Sequence, residues 1–180
     1  MYKILIVLIA VLLSVNGLFA QDGSSFSAGF RFQKTHNLYY ENGIAFDFAN
    51  QKLLNDRLHI GFNFVTSRLG SAISSNALKQ DNYLLSFGYY FRHEKVINPI
   101  IQVNTGFFYA DMEYPMFESL PHKSAMLSVE PGVYINFKSP IKVKATIGYN
   151  FITGDGVTGP GALYPLFFEL SIFYQMNFNN

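Results

Sequence analysis

From Leu166 to Phe178 the chain reads Leu-Phe-Phe-Glu-Leu-Ser-Ile-Phe-Tyr-Gln-Met-Asn-Phe, and side-chain type alternates along it. Phe168, Leu170, Ile172, Tyr174, Met176 and Phe178 share one parity, while Glu169, Ser171, Phe173, Gln175 and Asn177 share the other. Successive side chains of an extended chain point to opposite faces. One face is therefore wholly apolar, and the other is polar with a single aromatic. A two-faced strand of this kind needs an apolar medium against one side of the sheet.

The pattern recurs seven more times. Phe26, Ala28, Phe30 and Phe32 oppose Ser27, Gly29, Arg31 and Gln33, and Ile44, Phe46 and Phe48 oppose Ala45, Asp47 and Ala49. A third strand alternates Leu58, Ile60, Phe62 and Phe64 with His59, Gly61, Asn63 and Val65; a fourth sets Tyr83, Leu85, Phe87, Tyr89 and Phe91 against Leu84, Ser86, Gly88, Tyr90 and Arg92. The fifth runs from Ile101 to Ala110 and the seventh from Ile141 to Phe151. The sixth, Leu127 to Phe137, is interrupted by Pro131, whose missing N–H predicts a bulge or a locally broken ladder.

Connections at Thr35–Asn42, Leu69–Asp81, Met112–Lys123 and Thr153–Pro165 are long. Those at Asn55-Asp56-Arg57 and Lys138-Ser139-Pro140 are short, and His93–Pro99 is intermediate. Long and short connections alternate, so an up-and-down barrel would have one elaborate end and one plain end, as transmembrane barrels do. Each strand has enough residues for the roughly 9–11 that a tilted membrane strand needs.

Alternation alone does not say which face points outward, but volume does. Some forty apolar side chains, many of them rings, do not fit inside an eight-stranded barrel, whose interior just accommodates its own side chains or one small ligand. Charged residues make up only 14% of the chain and aromatics 17%, against about 25% charged in an ordinary soluble domain. The fold class expected is all-β, an eight-stranded antiparallel up-and-down transmembrane β-barrel. Closure satisfies every backbone hydrogen bond where water is absent.

Residues 1–20 read as a signal peptide, with Lys3, the apolar run Ile4 to Leu13 and a cleavage site at Gly17-Leu18-Phe19-Ala20; residues 21–180 then form the barrel domain. The run is shorter than a membrane-spanning helix requires. The 13 basic residues, one of them Lys3, face 12 acidic ones, so the mature chain is neutral and nucleic acid is not an expected partner. The absence of cysteine excludes disulfides, thiolate metal sites and a lipid-anchoring cysteine.

In strand number, loop asymmetry and the aromatic-rich last strand, residues 24–178 resemble the small outer-membrane barrels typified by OmpX and the membrane domain of OmpA. The resemblance implies that the last strand carries the signal read by the barrel-insertion machinery. Tyr174, Met176 and Phe178 fit its alternation, although Asn179 and Asn180 follow the aromatic residue that usually ends it. Unlike OmpA, the chain has no expected periplasmic domain. Location in the outer membrane of a Gram-negative-type cell follows from this resemblance. So do contact with outer-membrane lipid and lipopolysaccharide, a monomeric state, and long loops available to an extracellular partner.

Inward parity is shared by Arg31, Asp47, His59, Arg92, Glu130, Lys142, Lys144 and Glu169. Buried charges must pair, so Arg31, Asp47, Glu169, Glu130, Lys144 and Arg92 are expected to form a structural lumen cluster. Arg31, Glu169 and Asp47 are expected to brace the seam between the first and last strands. No cofactor, metal or catalytic residue is assigned. Gly154-Asp155-Gly156-Val157-Thr158-Gly159 has the spacing of a dinucleotide loop, but Pro160 and Gly161 follow where a helix should open. His36, His59, His93 and His122 are scattered, which does not suit a metal site. Tyr39, Tyr40, Tyr83, Tyr109, Tyr114 and Tyr164 lie near strand ends, as interfacial girdles do.

The function expected is that of a filled outer-membrane barrel with a structural or surface-interaction role, adhesion- or receptor-like. The first alternative is a lipid A-modifying hydrolase. Eight-stranded lipid A deacylases use a serine, a histidine and a glutamate on the outer wall, and His122 and Ser124 lie close together here. Yet the strand before the last reads Gly148-Tyr149-Asn150-Phe151, and Glu169 has inward parity. The second alternative is a soluble periplasmic carrier of a small ligand, with its apolar face inward.

Overall fold

The computed structural model describes residues 23–35, 40–50, 52–70, 76–92, 95–111, 122–153 and 166–178. Eight strands follow in chain order: β1 Ser24–Thr35, β2 Tyr40–Asn50, β3 Leu58–Gly70, β4 Asn76–Tyr90, β5 Ile97–Asp111, β6 Lys123–Asn136, β7 Ile141–Thr153 and β8 Leu166–Phe178. Each pairs antiparallel with the next, and β1 with β8, closing the barrel. The seam runs in one register from Ser24↔Phe178 to Thr35↔Phe167. Strands β4 and β5 have 15 residues each, about 50 Å of extended chain. Even at a tilt of about 40° such strands overreach a lipid-facing band about 25 Å tall.

Parity decides which side chain meets which medium. Phe30 is 65% exposed and Ile172, its ladder partner, 42%, while the flanking Arg31 and Ser171 are at 1% and 0%. Burial likewise alternates along β5 and through most of β8. Large apolar side chains therefore cover the outside, and the inward-facing arrangement of a soluble ligand carrier is not what the wall shows.

Several boundaries differ from the sequence expectation. The Leu69–Asp81 stretch is mostly hairpin: β3 and β4 pair as far as Gly70↔Asn76, with a register shift at Leu69/Gly70. β2 begins at Tyr40, inside the expected first loop, and places Glu41 opposite Gln33. β5 begins at Ile97. Backbone N–H and C=O groups gain by pairing on as far as the ladder can run, so strands outlast their alternation. At Pro131 the ladder is interrupted without a bulge. Pairing with β7 skips from Val129↔Tyr149 to Gly132↔Thr146 in unchanged register, while Ile101↔Pro131 is kept on the β5 side. Proline has no N–H to donate.

At the plain end, Leu54, Asn55 and Asp56 all have positive φ (52, 56 and 62°). Asn and Asp tolerate this left-handed region, and Leu does so at a cost. Bonds from Leu53 N to Asn50 O (2.8 Å) and from Leu58 N to Leu53 O (3.3 Å) close the turn.

Gly148 lies opposite Phe167 on β8. A Cβ there would sit 2.0 Å from the tip of the Phe167 ring, which is itself buried at 1% exposure. Gly148→Val is expected to destabilise the barrel by about 1–3 kcal/mol through overpacking, read from reversible denaturant unfolding in lipid vesicles. Gly148→Val with Phe167→Leu should recover part of that loss.

Candidate functional site: the charged lumen

Two apolar layers bracket the polar interior. Toward the plain end Ala45, Tyr90, Ile100, Tyr134 and Phe173 pack together, with the Tyr90 and Tyr134 rings 5.1 Å apart, edge to face. His59 stacks on Tyr90 at 3.7 Å. Toward the loop end Leu84, Phe108, Ala110 and Met126 form the second layer.

Between them lies the charged belt. Arg31 Nη2 donates to Glu130 Oε1 at 3.0 Å and to Gln33 Oε1 at 2.8 Å, and Arg31 Nη1 lies 3.3 Å from Glu169 Oε2. Lys144 Nζ is 3.1 Å from Glu169 Oε1 and donates to Gln102 Oε1 at 2.9 Å. Two cations thus meet two carboxylates, and the four side chains are fully enclosed. Each cation also faces a ring: the Arg31 guanidinium carbon lies 5.9 Å from the Phe167 centroid, and Lys144 Nζ 5.5 Å from that of Phe173.

The neutral neighbours complete both carboxylates. Glu130 accepts from Asn104 Nδ2 (2.5 Å), Ser128 Oγ (3.2 Å) and Gln102 Nε2 (3.2 Å) as well as from Arg31. Glu169 accepts from Ser171 Oγ (2.6 Å) and Thr146 Oγ1 (3.1 Å), beside its two cations. With the ion pairs counted, each carboxylate has four donors, three of Glu130's falling on Oε1 and one on Oε2. Gln33 in turn donates to Glu41. Buried charges stand only when paired and hydrogen-bonded in this way.

Of the residues singled out in the sequence, Arg31, Glu130, Glu169 and Lys144 come together. Asp47 does not join them; its Oδ2 lies 2.6 Å from His59 Nδ1. The ladder sets Asp47 opposite Ser27, four residues below Arg31, or about 13 Å along the strand. Arg92 is not in the lumen either. β4 ends at Tyr90, and Arg92 is exposed in the turn, its N–H donating to Asn98 Oδ1 at 2.8 Å. Lys142 closes the plain end instead, donating to Phe137 O at 2.6 Å and Asn136 Oδ1 at 2.5 Å. Sequence reasoning missed Glu41, assigned to a loop, and Tyr134, left without a face. Both have the parity of the inward residues on their own strands, which is the signal that finds them.

The hydrolase set is not assembled. His122 Nδ1 lies 3.2 Å from Ala110 O, Ser124 Oγ donates to Ala125 O at 3.1 Å, and Glu169 is enclosed with Arg31 and Lys144. Tyr83 and Tyr109 are exposed on the outer wall, and Tyr83 packs 5.3 Å from Phe107. The Tyr40 side chain, with Tyr39, Tyr114, Tyr164, His36, His93 and the run from Gly154 to Gly159, lies outside the described residues.

No protein-family model and no curated protein matches the sequence. Solved structures do match. The N-terminal β-barrel domain of Pseudomonas aeruginosa OprF superposes with a TM-score of 0.61 at 10% identity, over 86% of this chain and 98% of that one. Neisserial surface protein A (NspA) gives 0.55 at 16%, over 86% and 96%. Ail, the attachment invasion locus protein of Yersinia pestis, gives 0.52 at 14%, over 87% and 100%. The fold is that of a small outer-membrane barrel.

Removing Arg31 would leave two enclosed carboxylates with one cation. Arg31→Met is therefore expected to cost about 3–5 kcal/mol of unfolding free energy. A double-mutant cycle with Glu130→Gln should show coupling above about 0.5 kcal/mol. The same cycle with Asp47→Asn should be additive.

Proposed function

We propose that this chain is an exported outer-membrane protein whose barrel is a plugged, non-catalytic anchor for surface-interacting loops. Residues 1–20 act as the export signal on this reading, and the loop end faces the cell exterior. The observation that carries it is the division of the wall into media: apolar rings outside, and two cations with two carboxylates sealed inside between apolar layers. A sheet with this outside is stable in hydrocarbon and unsuited to water.

A surface role has two supports. The charged groups of the belt are engaged with one another in ion pairs, although Arg31 Nε has no hydrogen-bond partner among the described residues. The structural neighbours include one described as an attachment invasion locus protein and another as a surface protein. A small barrel of this sort serves as a rigid frame while its loops make the contacts. Adhesion to another cell or to its matrix is the role that fits best.

The membrane fraction should contain a protein that migrates faster unboiled than boiled on a denaturing gel, and a tag placed within residues 112–121 should be labelled on intact cells. Recovery in the soluble periplasmic extract would contradict the reading. Ile172→Arg, at the middle of β8, should cost about 2–4 kcal/mol in vesicles if the outer face meets lipid. A water-facing position would change by less than about 0.5 kcal/mol.

A further inference from the structure

The outer wall carries a recess. It lies between β5 and β6 at the loop end, with a volume of about 420 Å³, lined by Phe107, Phe108, Tyr109, Lys123, Ser124 and Ala125. The ladder pairs Tyr109 with Lys123 and Phe107 with Ala125. Along β6 the next outward residue is Leu127, and across β7 lies Phe151, both exposed. Ala125 thus places a single methyl group among larger side chains, and the wall is hollowed there.

Lys123 stands at the rim. It is exposed, and its Nζ lies 5.5 Å from the Tyr109 ring centroid. Among the described residues no carboxylate pairs with it. The acid nearest along the ladder is Asp111, exposed on the same face of β5 two residues beyond Tyr109; Asp81, opposite Tyr109 on β4, accepts from Thr66 Oγ1 at 2.7 Å. A lysine resting on an aromatic ring keeps its ammonium at the level where hydrocarbon gives way to polar headgroups. Such a cation is a point charge with three donors, suited to phosphate, and basic pockets at the membrane boundary hold lipid headgroups.

We infer that this recess binds a phosphorylated glycolipid of the outer leaflet, one acyl chain lying along Phe107 over Ala125 and a headgroup phosphate on Lys123. The assignment to the outer leaflet rests on the proposed orientation, loop end outward. Charge and shape act together: Lys123 selects the phosphate, and the gap at Ala125 selects a chain that enters beside it.

Native mass spectrometry of the detergent-purified full chain with bisphosphorylated lipid A tests this. The wild-type protein should retain one lipid A. Lys123→Gln and Ala125→Phe should each weaken retention by about fivefold or more, and dephosphorylated lipid A should bind the wild type as poorly as lipid A binds Lys123→Gln. Phosphatidylglycerol, the arm for an ordinary anionic phospholipid, should be retained less. Equal retention by wild type and both variants, or phosphatidylglycerol retained as well as lipid A, would overturn the proposal. If Ala125→Phe does not fold, Ala125→Leu fills the same gap. The heat-dependent gel shift, measured on each sample, keeps the two readings apart. A wild-type barrel that shifts but holds no lipid A refutes the site alone, and one that never shifts refutes the membrane reading beneath it.

Discussion

Hydrocarbon offers no hydrogen bond to a peptide group. Every N–H and C=O on the wall must therefore find a partner in the chain, and a sheet meets that demand only by closing on itself. The seam between β1 and β8, unbroken from Ser24↔Phe178 to Thr35↔Phe167, is the direct consequence. Closure in turn fixes parity: once one face meets lipid, the other is confined to a narrow interior. Pro131 is tolerated because its interruption is confined to one ladder and leaves the register intact.

The interior then has to solve the opposite problem. Arg31, Lys144, Glu130 and Glu169 cannot reach water, so each is held by opposite charge and by amide or hydroxyl groups of the same layer. Gly148 makes room for the Phe167 ring that packs beside the Arg31 guanidinium. Apolar layers lie above and below the belt.

How much of this is legible in the sequence follows from range. Alternation is local, so all eight strands, their inward sets and the outward position of the rings can be read from neighbouring residues. Strand ends are less legible. Glu41 lies in a polar stretch that looks like a loop and is drawn into the ladder by Gln33, and Arg92 keeps inward parity two residues after its strand has stopped. Contacts across the lumen are not legible at all. Arg31 reaches Glu130 on β6, three strands away through the seam, and no ladder count leads there. Asp47 has the correct face but the wrong height, because its position opposite Ser27 depends on register. The Lys123 recess is hidden for the same reason, since it depends on Ala125 falling beside Phe107 in the next strand.

The chain contains no cysteine, so single cysteines can be introduced and spin-labelled one at a time in the vesicle-bound protein. The decisive comparison is between Phe30 and Ile172 on one parity and Ser27 and Ser171 on the other. Labels at Phe30 and Ile172 should collide readily with dissolved oxygen and poorly with a water-soluble nickel relaxant, while those at Ser27 and Ser171 should be shielded from both. Labels at Phe30 and Ile172 that respond to the nickel relaxant instead would place water against the rings and contradict the account.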